Sequence, residues 1–572
     1  MKKSFAFFLI SVMAIWSLSA QDTLKTEKMI IIKPYSPSVS DAFKPRQNPI
    51  IDDSLTTAKR KPDYSIIEVP VASTFEPEKG RAASVESEPL PYLYDNYALL
   101  GFGTHTSILA EFYGSLQMEN SKSLGIGFQH YSTQGNIDEV RLDDKFYDTE
   151  LDLNFSAERR YFNWGIDFEA MHKLVNWYGV PGYFSDVVVN NIDPQQTYYG
   201  VAVGGNIQYY EGLFERAELS YRRFGDAYGS GENHLQLRPE FGVPIGNVDV
   251  SLDLIVDYLN GSFDKHYFSA EELKYANLNL GAHPSLEIRS GNFSVDLGAE
   301  VFFAIDAEND HSDFFIFPKV KASYQMADGY FIPYLGADGG LKQNTYHNFV
   351  QENPFVSPNL FITPTSNVYD FFVGAKGKFT ENLSYNFRAD YRHDDNKALF
   401  ASYPYGFVNT TGEDYQYQNS FGIIYDDLTT LAFHGELTTD INEKLQVRFY
   451  ADYFSYDIDT QEEAWNLPEY KISLNGNYQI TEKWAAGADL YFVGERMERN
   501  LVFSDLPPVE TLSVVNLDAY FDANLNLAYK INDRFSAFVR GNNLLGNNYE
   551  RWKNYPVLGI QVFGGVIYQF DW

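Results

Sequence analysis

Residues able to do chemistry are sparse in this chain of 572 residues. Cysteine is absent, which removes thiol nucleophiles, thiolate metal sites and disulfides together. The ten histidines are scattered, and none falls in the His-Glu-x-x-His spacing that holds zinc on one helix face. A Gly-x-Ser-x-Gly elbow and a phosphate-cradling glycine loop are missing too. His393 beside Asp394 and Asp395 is the one cluster with the composition of a metal site or an acid/base pair, and a solvated charge run at a strand edge has the same composition. Two acidic runs, Asp138, Glu139, Asp143 and Asp144, and Asp457, Asp459, Glu462 and Glu463, have the oxygen ligands for divalent cations that bridge to anionic lipopolysaccharide. A repulsive, solvated surface is the other reading of those runs. The sequence therefore reads as non-enzymatic, with no cofactor and no assigned metal ligands.

The remaining charged side chains recur at alternate positions, so the elements that carry them are strands. Val295, Leu297, Val301 and Phe303 alternate with Asp296, Gly298 and Glu300. Val250, Leu252, Leu254 and Val256 alternate with Asp249, Asp253 and Asp257, and Tyr385, Phe387, Ala389 and Tyr391 with Asn386, Arg388, Asp390 and Arg392. Near the end, Leu517, Ala519, Phe521, Ala523, Leu525 and Leu527 alternate with Asn516, Asp518, Asp522, Asn524 and Asn526. Every such strand repeats the same bias, which predicts an apolar face towards lipid and a charged face towards a lumen. Asp249, Asp253, Asp257, Asp296, Glu300, Arg388 and Asp390 are the predicted lumen-facing residues. Short turns at 245–247, 290–292, 327–329, 380–382, 442–444, 481–483 and 532–534 alternate with longer loops such as 133–145, 176–196, 261–274, 344–366 and 496–513. This is the pattern of an all-β, antiparallel up-and-down transmembrane β-barrel, with about 22 strands and bounds of 20 to 24. The first strand is placed near 95–104, and 421–439 is read as one long strand despite Asp426 and Asp427.

The last strand closes the barrel. In steps of two it presents Leu558, Ile560, Val562, Gly564, Val566, Tyr568, Phe570 and Trp572 on one face, with Gln561, Gly565, Gln569 and Asp571 between them. Val566, Tyr568, Phe570 and Trp572 form an aromatic edge suited to pairing with the barrel insertion machinery. The run Asn542, Asn543, Leu544 and Leu545, then Tyr549, Tyr555, Pro556 and Gly559, then Gly565, Tyr568 and Phe570, resembles the C-terminal end of TonB-dependent receptor barrels. Leu558 and Ile560 stand where that family usually has Pro and Arg. The resemblance implies a large outer-membrane barrel and, in the family, ligand uptake driven from the inner membrane.

The N-terminal part differs. Lys2 and Lys3 precede an apolar run from residue 5 to 18, and Ser19 and Ala20 offer a cleavage site, which predicts a secretory signal peptide over 1–20. Residues 21–92 hold nine of the chain's 24 prolines and nearly balanced charge, which predicts an extended periplasmic or lumen-lining segment in place of a folded domain. Its two apolar runs supply Ile30, Ile31, Ile32, Ile66 and Ile67 as residues that would pair with a partner's exposed sheet edge. The barrel then occupies 93–572, with 66 acidic and 32 basic residues in a chain of net charge −33. Such a surface excludes nucleic acid as a ligand.

TonB-dependent receptors carry a plug domain of well over a hundred residues, whereas 21–92 number only 72. Natural barrels of 22 strands keep the lumen plugged, and an extended segment of this length fills only about half of a lumen of roughly 15 Å radius and 30 Å height. Inward-folded loops, the segment or another protein must seal the rest. The expectation is an accessory or scaffold subunit of a larger outer-membrane complex, whose partners are lipid, lipopolysaccharide, the insertion machinery and other envelope proteins. Uptake of a ligand and a passive cation-preferring channel are the alternatives.

Overall fold

The computed structural model describes residues 94–572 apart from 120, 246–247, 406–412 and 506–507, and leaves out the side chains of 245–249 and 502–511. The signal peptide and the segment 21–92, with Ile30, Ile31, Ile32, Ile66 and Ile67, lie outside the described residues.

Twenty-two strands pair in one antiparallel sheet that closes on itself. The first strand, Asn96–Gly103, pairs with Ser107–Met118 on one side and with the last strand, Gln561–Phe570, on the other. Asn96 lies opposite Phe570 and Gly103 opposite Phe563, so the barrel begins and finishes at the same end. Closure leaves no unpaired strand edge. The apolar residues of the alternating pattern lie exposed along the wall, among them Leu297, Phe303, Phe371, Val373, Phe387, Phe433, Leu525 and Val566. An exposed apolar band of this size needs lipid around it, and the strands are a transmembrane barrel.

Phe421–Asn442 is one strand of 22 residues. Asp426 and Asp427 sit where its register with Leu383–Ser402 shifts, so the acidic pair marks a bulge, and Asp426 accepts hydrogen bonds from the backbone of Thr460 and Gln461 in a neighbouring loop. One end of the barrel has short connections throughout. The other end carries the long ones, but three there are tight as well, at 104–106, 227–230 and 307–310. A long loop was expected between every two short turns; His105, Gly229 and Asp310 at positive φ turn the chain tightly instead.

Two further differences concern the C-terminal strands. Leu517 belongs to a hairpin outside the barrel wall, Arg496–Asp505 with Pro508–Leu517, and the barrel strand begins only at Tyr520. Asn516 and Leu517 continue the alternation of the following strand as far as Leu527, Tyr520 apart, and period two does not say which sheet a residue joins. The face of the last strand that carries Gln561, Gly565 and Gln569 also carries Phe563 and Ile567, both fully buried. Phe538, on the strand that pairs with the last one, reaches across Gly565 to Gly101 of the first strand, where a Cβ would come within 2.8 Å of its ring. An aromatic ring covering glycines on the next two strands pins the register at the seam.

Candidate functional site

The polar face of the sheet is tied together across strands. Asp257 pairs with His234 Nε2 at 2.7 Å and accepts from Gln236 at 2.6 Å, while Asp253 pairs with His283 Nδ1 at 3.2 Å. Glu300 meets Lys319 Nζ at 3.3 Å, and the same ammonium reaches Asp338 at 2.8 Å. Arg388 donates from Nε to Asp390 at 2.5 Å, reaches Asp370 at 3.3 Å and lies 4.1 Å over the Phe372 ring. His434 then bridges Asp390 at 3.4 Å and Asp452 at 2.8 Å. Of the residues singled out from the sequence, Arg388 and Asp390 are brought into contact, and Asp253, Asp257 and Glu300 each meet a separate partner, His283, His234 and Lys319. Asp296 stands opposite Glu287 and Lys321 in the register, and Asp249 opposite Pro244, its side chain being outside the described set. His234, His283, Lys319, Asp370, His434 and Asp452 were not singled out. Their alternation parity marked them as polar-face residues, but the partners stand on other strands. Phe302, Phe317, Tyr334 and Phe372 also lie buried on that face, where alternation parity gives an aromatic residue no distinguishing mark.

His393 does not form a cluster with both aspartates. Its Nε2 meets Asp395 at 3.1 Å and its ring stacks on Tyr369, whereas Asp394 accepts from Asn367 at 2.9 Å and lies near Arg392 and Lys397. Consecutive strand residues point to opposite faces, so adjacency in sequence separates them. The acidic loops gather no group of three potential metal ligands among the described residues. Asp144 is used structurally, accepting from the backbone of Asn136 and Ile137 at 2.9 and 2.8 Å.

The long-loop end holds the densest packing. A hydrophobic cluster joins strand ends (Met171, Tyr198, Phe224, Leu259, Phe263, Tyr275) to loop residues (Tyr346, Phe349, Val350, Val356, Leu360, Trp552, Tyr555). A short helix, Tyr346–Glu352, sits in its centre, capped by Thr345, which accepts from Asn348 N. Glu232 accepts from the backbone N–H of Tyr346 at 2.6 Å and of His347 at 3.2 Å, and from the Tyr275 hydroxyl at 2.9 Å. A carboxylate at a helix N-terminus satisfies donors that the helix leaves unpaired. Tyr346 in turn donates to Asp226 at 2.7 Å. Burial, with the Arg222 guanidinium alongside, lowers the His347 pKa to about 4, so the ring is neutral at neutral pH.

The hairpin 496–517 braces the remaining loops. Fully buried Glu498 accepts from Ser402 N at 3.1 Å and from Asn466 Nδ2 at 2.8 Å, and burial pushes its pKa up to about 7. Arg496 donates to the carbonyls of Arg551 and Glu550 at 2.5 and 2.8 Å and lies 4.9 Å over Tyr520. Phe355 and Tyr555 stack at 3.8 Å, joining the loop that carries the helix to 543–560. The long loops are thus packed to each other as a layer, with a core of its own.

The geometry defines a class: an integral β-barrel of the bacterial outer membrane whose long loops are folded together. Comparison with known proteins narrows the fold. No protein-family model matches the chain, and no curated protein matches it. Among solved structures it is similar to the siderophore receptor PirA from Acinetobacter baumannii, at 12% identity and a TM-score of 0.62, over 83% of this chain and 81% of that one. It is similar to the ferric-catecholate import receptor Fiu from K12 E. coli at 10% identity and 0.59, over 84% and 82%. A copper transporter, OprC, gives 12% identity and 0.58, over 84% and 81%. At these identities the likeness is one of fold, and the fold is that of TonB-dependent receptor barrels.

Proposed function

We propose that this chain is an accessory or scaffold subunit of a larger outer-membrane assembly, a barrel whose lumen is sealed by its own loops. The observation that carries the reading is the loop layer. Its centre is an aromatic core with buried, hydrogen-bonded carboxylates, Asp226 and Glu232. A transport receptor needs a concave site open to its ligand, and a passive channel needs an unobstructed path. In this reading the polar face from Asp253 to Asp452 lines the lumen, where paired charges keep a wet wall soluble without leaving a buried charge alone. The segment 21–92, through Ile30, Ile31, Ile32, Ile66 and Ile67, makes the partner contacts.

The second reading, uptake, is favoured by the fold shared with the siderophore receptor PirA and the copper transporter OprC. Affinity capture of the tagged full chain from detergent-solubilised envelopes separates the two. An accessory subunit brings down stoichiometric envelope proteins, and deletion of residues 21–85 releases them. A chain that purifies alone and binds a ferric siderophore or copper would instead establish the receptor.

A further inference from the structure

The polar face changes character near the short-turn end. A pocket of about 440 Å³ opens there, lined by Ile332, Lys376, Lys378, Ser384, Asn386 and Glu436 among others. Further along this face Lys319 is tied to Glu300 and Asp338, and Arg388 to Asp370 and Asp390. Lys376 and Lys378 are exposed and form no ion pair among the described residues. Asn386 lies opposite both Lys376 and Glu436 in the register, so Glu436 stands two strands away, roughly 10 Å off at the usual strand spacing. Ser384 lies opposite Lys378 and donates to the Thr438 carbonyl at 3.3 Å, while the Thr438 hydroxyl donates to Glu436 at 3.3 Å.

We infer that this pocket is a docking site for an extended acidic peptide, with carboxylates at alternate positions, carried by a periplasmic partner. The inference rests on the accessory reading above. Two lysines at i and i+2 of a strand stand roughly 7 Å apart on one face, and carboxylates at i and i+2 of an extended peptide have the same repeat. The loop layer covers the opposite end, so the route in is from the short-turn side. A chain of net charge −33 repels acidic peptides in general, so attraction to one must come from a local site.

The test is fluorescence anisotropy of the purified full chain in detergent with a labelled alternating Gly-Glu octapeptide, and with Gly-Gln and Gly-Lys counterparts. Binding is expected for the Glu peptide over the Gln peptide, weakening as salt rises. K376E/K378E should lower affinity at least tenfold, while K444E/K483E, two lysines on short turns at the same end, should leave it unchanged. Heat-modifiable migration on gels verifies that each variant is a folded barrel. Absence of binding by the natural chain, or equal binding by K376E/K378E, overturns the site. Envelope proteins that still co-purify in that case keep the accessory reading, so the two failures are distinguishable.

Discussion

Replacing Tyr346 with alanine tests the seal directly. The side chain is fully buried, its ring packs edge-on against Phe224 at 5.3 Å and Phe263 at 5.0 Å, and its hydroxyl donates to Asp226. Deleting a buried aromatic ring costs about 3–5 kcal/mol, and withdrawing a donor from a buried carboxylate adds about 1–3 kcal/mol. Asp226 keeps donors from Tyr228 N and Ser230 N, both at 2.9 Å, so the lower end of the second range applies. The sum is about 4–6 kcal/mol, which displaces the helix-bearing loop towards an open state by a factor of about 10³ to 10⁴. The barrel wall loses no strand, so the protein should still insert. In planar bilayers the natural chain should be silent, Tyr346→Ala should show channel openings, and Tyr346→Phe, which keeps the ring, should fall between. Hydrogen exchange over 343–364 reports the release of the loop independently. Exchange that rises in Tyr346→Ala with no conductance would refute the reasoning, because the loop would then have moved without unsealing anything.

Glu498 makes a pH prediction. Its carboxyl has a pKa near 4.5 in an unfolded chain and about 7 in place, so the folded hairpin holds the proton more tightly. Its stabilising contribution is complete below about pH 4.5 and is lost as pH rises through 7, to the extent of about 3 kcal/mol. Exchange protection of 496–517, corrected for intrinsic rates, should fall between pH 5 and pH 8 and become flat in Glu498→Gln; a flat profile in the natural chain would exclude this role. Single cysteines read the faces of the wall: Glu300→Cys should react with a water-soluble maleimide and Val301→Cys with a lipid-soluble one, and the reverse outcome means that the faces are exchanged. Deleting residues 568–572 removes Tyr568, Phe570 and Trp572 from the closing strand, and folded barrel should vanish from the outer membrane. Normal accumulation of the truncated chain would count against an insertion signal there.

The wall of this protein is legible in its sequence because strand alternation is local. A residue two positions along returns to the same face, so Leu297 and Glu300 could be assigned from their neighbours alone, and strands counted that way number 22. The long strand through Asp426 and the first strand near Asn96 were readable for the same reason. Cross-strand partners were not. Arg388 finds Asp370 across one strand boundary and His434 finds Asp452 across another, and those meetings depend on register, which bulges such as the one between Asp394 and Lys397 reset. Most of the hairpin 496–517 falls in a stretch that reads as a loop, and Asn516 and Leu517 continue the alternation of the next wall strand, yet tertiary pairing excludes them from the barrel. Above all, the loop layer was decided in three dimensions. Tyr346 stands 114 and 120 residues from Glu232 and Asp226, Tyr555 lies further along the chain still, and each is an unremarkable polar or aromatic residue until barrel closure brings the long loops to one end. Once they are there, burying their aromatic rings and satisfying the buried carboxylates favours packing loop against loop over leaving each in water.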